Sequence, residues 1–395
     1  VALRTNFSGV SALAIAAAMF AMPTIAHAQE TAPAADDANT GDEIVVTGFR
    51  ASLKSATAKK KAADTVVESV TTEDIGKLPD NGIGESIARL PGISTQRNAG
   101  RANIVSIRGF GPDFSTTTLN GREQTTTNDS RAVEFDQFPS EILAGVDVYK
   151  TAEADHTAGG LVGSIDLRTI RPLDMHKRIV AIGARGTYVD QKLQPNSSDK
   201  GYRVYGTYVD QLADDTIGVA VSAAYTDEPY QTRDFNAWGY GQYGPNAYGM
   251  NGIKTWSESD KLKRFGVNGT LQFKPNDSLS ITLDGFYSHF VDKIDQRGFE
   301  MPLNCGGGCG HDQIISYTAD ARGLVTAATI KGTPVIENYA SDRTADQYSF
   351  AGNIKWDSGS GTRALLDVSW SRTNRTDDRL ETTTGLGRAL PTATA

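Results

Sequence analysis

Leu279-Ser-Ile-Thr-Leu-Asp-Gly-Phe-Tyr-Ser-His-Phe-Val291 sets one kind of residue against another at every second position. Leu279, Ile281, Leu283, Tyr287 and Val291 fall on one side, and Ser278, Ser280, Thr282, Asp284 and Ser288 on the other. Side chains of a strand point alternately to its two faces, so this period marks a half-buried β-strand. Residues 261–273 repeat it, with Phe265, Val267, Leu271 and Phe273 opposite Arg264, Asn268, Thr270 and Gln272. Similar runs lie at 178–190, 202–211, 216–227, 346–357 and 363–374, which makes roughly seven strands. Apolar-out, polar-in strands of about ten residues are the pattern of a transmembrane β-barrel. A soluble β-sandwich also alternates. Aromatic residues near strand ends (Tyr208, Tyr225, Tyr287, Trp356, Trp370) and the connection lengths favour the membrane. Short turns at 212–215, 275–277 and 358–361 alternate with long loops at 228–260 and 292–345, which are expected to face outside.

Upstream of these strands the composition changes. Arg4 precedes the apolar run Val10–Met22, and Ala26-His27-Ala28 follows as a small-x-small site. The run is short for a membrane span, so the spacing predicts a secretory signal peptide cleaved after Ala28. Residues 29–41 are small and acidic and predict a mobile linker. Beyond residue 28 no apolar run is long enough for a membrane helix. The net charge of -8 argues against a nucleic-acid partner.

Asp42-Glu-Ile-Val-Val-Thr-Gly48 is a tethered β-branched run. It suits either strand addition to a partner's sheet edge or the first strand of the next domain. Residues 51–64, with Lys54, Lys59, Lys60 and Lys61 among alanines, read as a solvated helical spacer. Residues 65–173 read as a small α+β domain. It holds a strand at 66–70, a helix at 81–90 stopped by Pro91-Gly92, and a strand at 104–109. Asn120-Gly121 marks a hairpin turn, 139–143 a short helix, 146–149 a strand, and Gly159–Pro172 a glycine-rich turn into a last strand.

Four motifs in this domain, Ala88-Arg-Leu-Pro-Gly-Ile93, Ile107-Arg-Gly-Phe110, Leu119-Asn-Gly121 and Gly159-Gly-Leu-Val-Gly-Ser-Ile-Asp-Leu167, resemble in order and spacing the plug of TonB-dependent outer-membrane receptors. The resemblance makes residues 42–50 a TonB box, with Glu43, Ile44, Val45, Val46 and Thr47 as the contact with the inner-membrane energy transducer TonB. It makes 174–395 the N-terminal part of an outer-membrane barrel. Such barrels close at about 22 strands, so the chain is expected to stop mid-barrel. Tyr149-Lys150-Thr151 departs from the family's Arg-Gly-Pro and resembles a proteobacterial subgroup linked to oligosaccharide uptake. Arg108 matches a family arginine that pairs with barrel-wall glutamates, and Lys150 would take the place of a second, as a looser point charge.

The implied function is TonB-dependent import of a small extracellular ligand, an oligosaccharide first and a ferric siderophore second, with no enzyme chemistry and no cofactor. A passive exported β-rich adhesin or enzyme is the reading from another class. Plug apices near Arg97, Arg101, Asp113 and Asn128 are expected to face the ligand vestibule by resemblance. Trp238, Tyr240 and Tyr243 either stack on sugar rings or pack on one another. Gly239-Tyr-Gly-Gln-Tyr-Gly244 fits G-x-G-x-x-G but lacks a following helix, so no dinucleotide site is expected. Cys305 and Cys309 suggest one small disulfide. With His311 they offer only three zinc ligands where a structural site needs four.

Overall fold

The two periodicities of the sequence become two bodies, a mixed domain and a strand wall. In a computed structural model of the protein, residues 47–385 are described, apart from 72–81, 99, 131, 155–159, 192–193, 195–196, 305–312 and 332–333. The signal peptide, the linker, residues 43–46 of the β-prone run, and Cys305, Cys309 and His311 lie outside the described residues. Thr47 opens helix α1 (Thr47–Ala62), whose last turn carries Lys59, Lys60 and Lys61, where cations complement the helix dipole. Among the described residues no helix is long and apolar enough to cross a membrane.

The mixed domain is a five-stranded sheet with a separate hairpin. The sheet holds β1 (Val67–Thr71), β4 (Ser115–Leu119), β5 (Arg122–Glu123), β6 (Leu143–Tyr149) and β7 (Gly163–Thr169) in the order β1-β6-β7-β4-β5. The pair β4–β7 is parallel and the others are antiparallel. Asn120 and Gly121 both take positive φ, 54° and 78°, as a two-residue hairpin turn requires. The hairpin joins β2 (Ile93–Asn98) to β3 (Arg101–Ile107). β2 was not legible beforehand, because Ser-Thr-Gln-Arg-Asn carries no apolar alternation. The expected helix shrinks to α2 (Ile83–Ile87), and the one at 139–143 is a single 3-10 turn, Ser140–Ile142. The core gathers Ile83, Ile87, Ile107, Phe138, Ile142, Leu143, Val146, Ile165 and Leu167, all at most 2% exposed. Each such side chain contributes about 1.5–3 kcal/mol by leaving water.

The wall is an antiparallel meander of seven strands. These are β8 (Ile179–Tyr188), β9 (Lys200–Leu212), β10 (Ile217–Gly244), β11 (Ala247–Asn276), β12 (Leu279–Pro302), β15 (Val335–Asp357) and β16 (Arg363–Thr384). The sheet order is β16-β15-β12-β11-β10-β9-β8, so β8 and β16 are its edges. Short turns fall where expected. The long connections do not behave as loops. β10 and β11 stay paired from Ile217↔Phe273 to Gly244↔Ala247, so 228–260 is a hairpin almost to its tip. Within 292–345, β12 and β15 remain paired to Glu300↔Val335, and β13 (Gln313–Ala319) pairs with β14 (Val325–Lys331). Glycine, asparagine and tyrosine in these stretches lower the apparent strand signal, but cross-strand pairing overrides single-residue preference.

The alternation divides the wall into two faces. Phe265, Leu271, Phe273, Leu283, Phe350, Ile354, Trp356, Leu366, Val368 and Trp370 are exposed on one face. Arg203, Ser222, Thr226, Asp260, Arg264, Asn268, Thr270, Ser288, Asp292 and Gln347 are buried on the other, which meets the mixed domain. Together the bodies are an α+β plug and an open stretch of β-barrel.

Candidate functional site

The functional arrangement is the seam between the two bodies, held by arginines that cross it. Arg101, on β3, is 3% exposed. Its Nη2 lies 2.8 Å from Asp260 of β11 and 3.1 Å from Asp292 of β12. Its guanidinium also faces the Tyr230 ring at 5.0 Å. Arg122, first residue of β5, forks onto Asp367 of β16 through Nε and Nη2, each at 2.8 Å. Its Nη1 donates to Asp284 of β12 at 2.8 Å. Arg171 reaches the same Asp284 at 2.7 Å.

Traffic runs the other way too. From the wall, Arg203 donates to Glu141 at 2.8 Å, Arg343 to Glu134 at 3.2 Å and Arg375 to Asp129 at 2.6 Å. Gln347 donates to the carbonyl of Thr125, and Ser288 to that of Gln137. Planar guanidinium forks on carboxylates fix direction as well as distance. Packing adds to this. Phe138 lies 5.3 Å from Phe286, and Pro139 sits where a Cβ on Gly266 would be.

A second set of contacts joins α1 to the domain. Lys59 pairs with Asp147, which Arg168 and Ser69 also hold at 2.6 and 2.7 Å. Lys60 pairs with Glu68 at 2.7 Å. Glu68 is shared with Lys150 at 3.3 Å, and Lys150 also donates to the carbonyl of Pro91, just before β2. Burial works against the charge on Glu68, but the hydrogen bonds from Lys60 and Lys150 outweigh it and hold its carboxyl below the usual range. Burial pushes the Asp166 carboxyl up, against the hydrogen bonds it accepts from Gly121 and Thr118. Burial, with Asp147 and Asp166 nearby, pushes the Tyr149 phenol up to about 12.

The residues expected at the site separate into groups. Arg97 donates to the carbonyl of Gly100 at 2.8 Å and lines a cavity of about 360 Å³ with Arg101, Arg203, Glu228, Tyr230 and Arg264. Arg101 is engaged with wall carboxylates rather than open to a ligand. Asn128 folds its own loop, donating to Ala132 and accepting from Ser130. Asp113 is exposed in the 3-10 turn Pro112–Phe114.

Two expectations are corrected. Lys150 pairs with Glu68 inside the plug, not with the wall. Arg108 is exposed at a positive-φ turn before Gly109, and among the described contacts its guanidinium meets no wall carboxylate. The plug-side arginines that pair with the wall are instead Arg101, Arg122 and Arg171. Arg122 had a signal: it follows the Asn120-Gly121 turn and so sits at the tip of a hairpin. Trp238 and Tyr240 lie on β10, on the face that meets the plug, whereas Tyr243 points the other way, its hydroxyl donating to Met250 at 2.7 Å. Among the described residues no group of three or more His, Cys, Asp and Glu is placed to hold a metal ion.

Comparisons with known proteins agree with this geometry. Residues 59–164 match the family model described as the TonB-dependent receptor plug domain. The vitamin B12 transporter BtuB of Vibrio cholerae is 28% identical over 214 residues, which take in 49% of this chain and 33% of that protein. A probable TonB-dependent siderophore receptor, PirA of Acinetobacter baumannii, is 26% identical over 184 residues, 38% of this chain and 23% of the relative. The chain thus spans a third or less of the curated relatives it matches. Among solved structures, the unliganded ferric citrate transporter FecA is similar at 13% identity and a TM-score of 0.36, over 82% of this chain and 61% of that one, too loose a likeness to place any residue. Motifs and family model converge on this part of the chain: residues 59–164 match the TonB-dependent receptor plug domain, and the strand wall is clasped to it.

Proposed function

We propose that the protein imports a ligand across the Gram-negative outer membrane by force applied to the plug. The observation that carries this is the seam. Arg101, Arg122 and Arg343, all at most 16% exposed, tie the plug to four wall strands through carboxylates. Leaving one member of such a pair buried without its partner costs about 3–5 kcal/mol, so the seam opens as a unit rather than one pair at a time. Work must come from outside, and the tethered run at 43–47 is suited to receive it by strand addition to TonB. Beyond it, α1 is fastened to the domain by Lys59 and Lys60, so tension at 43–47 reaches Glu68, Lys150 and the start of β2.

In this reading the signal peptide is cleaved after Ala28, the apolar face contacts membrane lipid, and the ligand binds outside, between plug apices and the long hairpins. The ligand class is an oligosaccharide. The relative named as a probable siderophore receptor keeps an iron chelate as the second candidate. Deleting residues 43–47 from the full-length protein should abolish uptake and leave ligand binding at the cell surface unchanged. Loss of both together, or of neither, overturns the reading.

A further inference from the structure

The register of β10 with β11 runs without a slip from the membrane strands to Gln242. Even-numbered residues of both strands therefore keep facing the lumen above the plug. At the bottom of this row Thr232 lies beside Gly100 at the tip of the β2–β3 hairpin. Higher up come Asp234 opposite Trp256, Asn236 opposite Lys254, Trp238 opposite Gly252, and Tyr240 opposite Met250.

Two indoles in this row are held in place. Trp256 Nε1 donates to Asp234 at 3.2 Å, which leans its ring over β10. Trp238 leans the other way, over Gly252 of β11, where any Cβ would collide with its six-membered ring. Lys254 Nζ stands over the Trp238 ring, 5.9 Å from its centroid, and is paired with Glu300, so a ligand stacking there would meet both the ring and the ammonium. Tyr240 and Tyr248 continue the row, 66% and 52% exposed. On this face of β10, β11 and β12 above the plug tip, the charged side chains are Asp234, Glu258 and Glu300 against Lys254.

We propose that this face is a stacking rail for a linear, uncharged oligosaccharide, with Trp238 and Trp256 as its two platforms. The inference rests on the import reading and adds the length and charge of the ligand. Pyranose rings present a flat C–H face that stacks on an aromatic ring, while their hydroxyls bond to flanking carboxylates, amides and ammonium groups. Three carboxylates against one ammonium disfavour anionic iron chelates at this face. Four residues of strand separate the two platforms, about 13 Å, further than one or two sugar rings reach and within reach of a longer chain.

The test is intrinsic tryptophan fluorescence of the purified full-length protein. It is titrated with malto-, cello- and xylo-oligosaccharides of one to six units, and with ferric citrate as the anionic probe. In at least one series, affinity should rise about tenfold or more between two and four units, some 1.4 kcal/mol. Trp238→Ala should remove that gain, Trp238→Phe should keep most of it, and Trp256→Ala should act as Trp238→Ala does. Affinity that does not depend on length, or alanine variants that bind like the wild type, would overturn the rail and leave TonB-dependent import standing. If no saccharide changes the fluorescence, whatever ferric citrate does, the ligand class falls with the rail, and import then rests on the 43–47 deletion alone.

Discussion

Replacing Arg122 by alanine removes three charge-assisted hydrogen bonds, each 2.8 Å long, that tie the β4–β5 turn to two wall strands. Severing a buried ion pair from one side costs about 3–5 kcal/mol, because the remaining charge is left without compensation. Two features pull the figure to the lower end. Asp367 is 37% exposed, so water screens it once the guanidinium is gone, and Asn353 still donates to it at 2.7 Å. Asp284 retains Arg171 at 2.7 Å and Thr270 at 3.0 Å. The expected loss is therefore about 3 kcal/mol, which at 1.36 kcal/mol per factor of ten is roughly 150-fold. Hydrogen exchange of the β4 and β5 amides in the intact detergent-solubilised protein reads this directly, since it reports local opening. Those amides should exchange roughly 150-fold faster than in the wild type, while β1, on the far edge of the same sheet, changes little. Arg122→Lys should fall between the two, because an ammonium cannot fork onto Asp367 and reach Asp284 at once. A change at β4–β5 smaller than about fivefold, under 1 kcal/mol, would refute the claim that this arginine locks the plug.

Other consequences are open to simple measurement. Glu68 is held below its ordinary range by Lys60 and Lys150, so its contribution to plug stability is present above an ordinary carboxyl pKa and is lost as pH falls through the lowered one. The urea midpoint of the plug should fall on acidification below about pH 4.5, and Glu68→Gln should flatten that slope; an equally steep slope in the variant rules the assignment out. Gly266→Leu places a side chain where Pro139 now packs, so limited proteolysis should cut the plug faster while the wall strands are cut no faster than in the wild type. Identical plug cleavage in both proteins would show that Pro139 does not seat the plug.

Strand phase was the most legible feature of the sequence, because lipid on one side and plug on the other punish any slip of a half-buried strand. The plug order was legible from its motifs and turn residues. What could not be read was which charges meet across the seam. Arg101 and Asp260 are 159 residues apart, and Arg122 and Asp367 are 245 apart. Nothing local in Arg101-Ala-Asn distinguishes that arginine from Arg108, whose side chain is exposed, and the turn before Arg122 marks its position at a hairpin tip but not its partners. Lys150 was assigned to the wall by its position in the motif. The structure turns it toward Glu68, the carboxylate its own domain buries beside it. The hairpin at 228–260 reads as a loop in the sequence, where Gly-Tyr-Gly-Gln-Tyr-Gly and Asn-Ala-Tyr-Gly carry turn chemistry. Gly249 instead leaves room for Tyr243 on the neighbouring strand, Gly244 for Tyr317 of β13, and Gly239 and Gly241 for Asn251.

The constant register of β10 with β11, held even past Gly239 with its positive φ, sets a rule for how this region can change length. Every residue from Ile217 to Gln242 takes its side, lumen or exterior, from a count that begins inside the bilayer. Inserting a single residue below Asp234 would turn Trp238 and Tyr240 outward together and bring Phe235 and Ala237 into the lumen. Two inserted residues would preserve the sidedness and merely raise the tip. Descendants of this hairpin should therefore differ by even steps in each strand, with odd steps confined to the turn at Pro245 and Asn246, where no side remains to be kept.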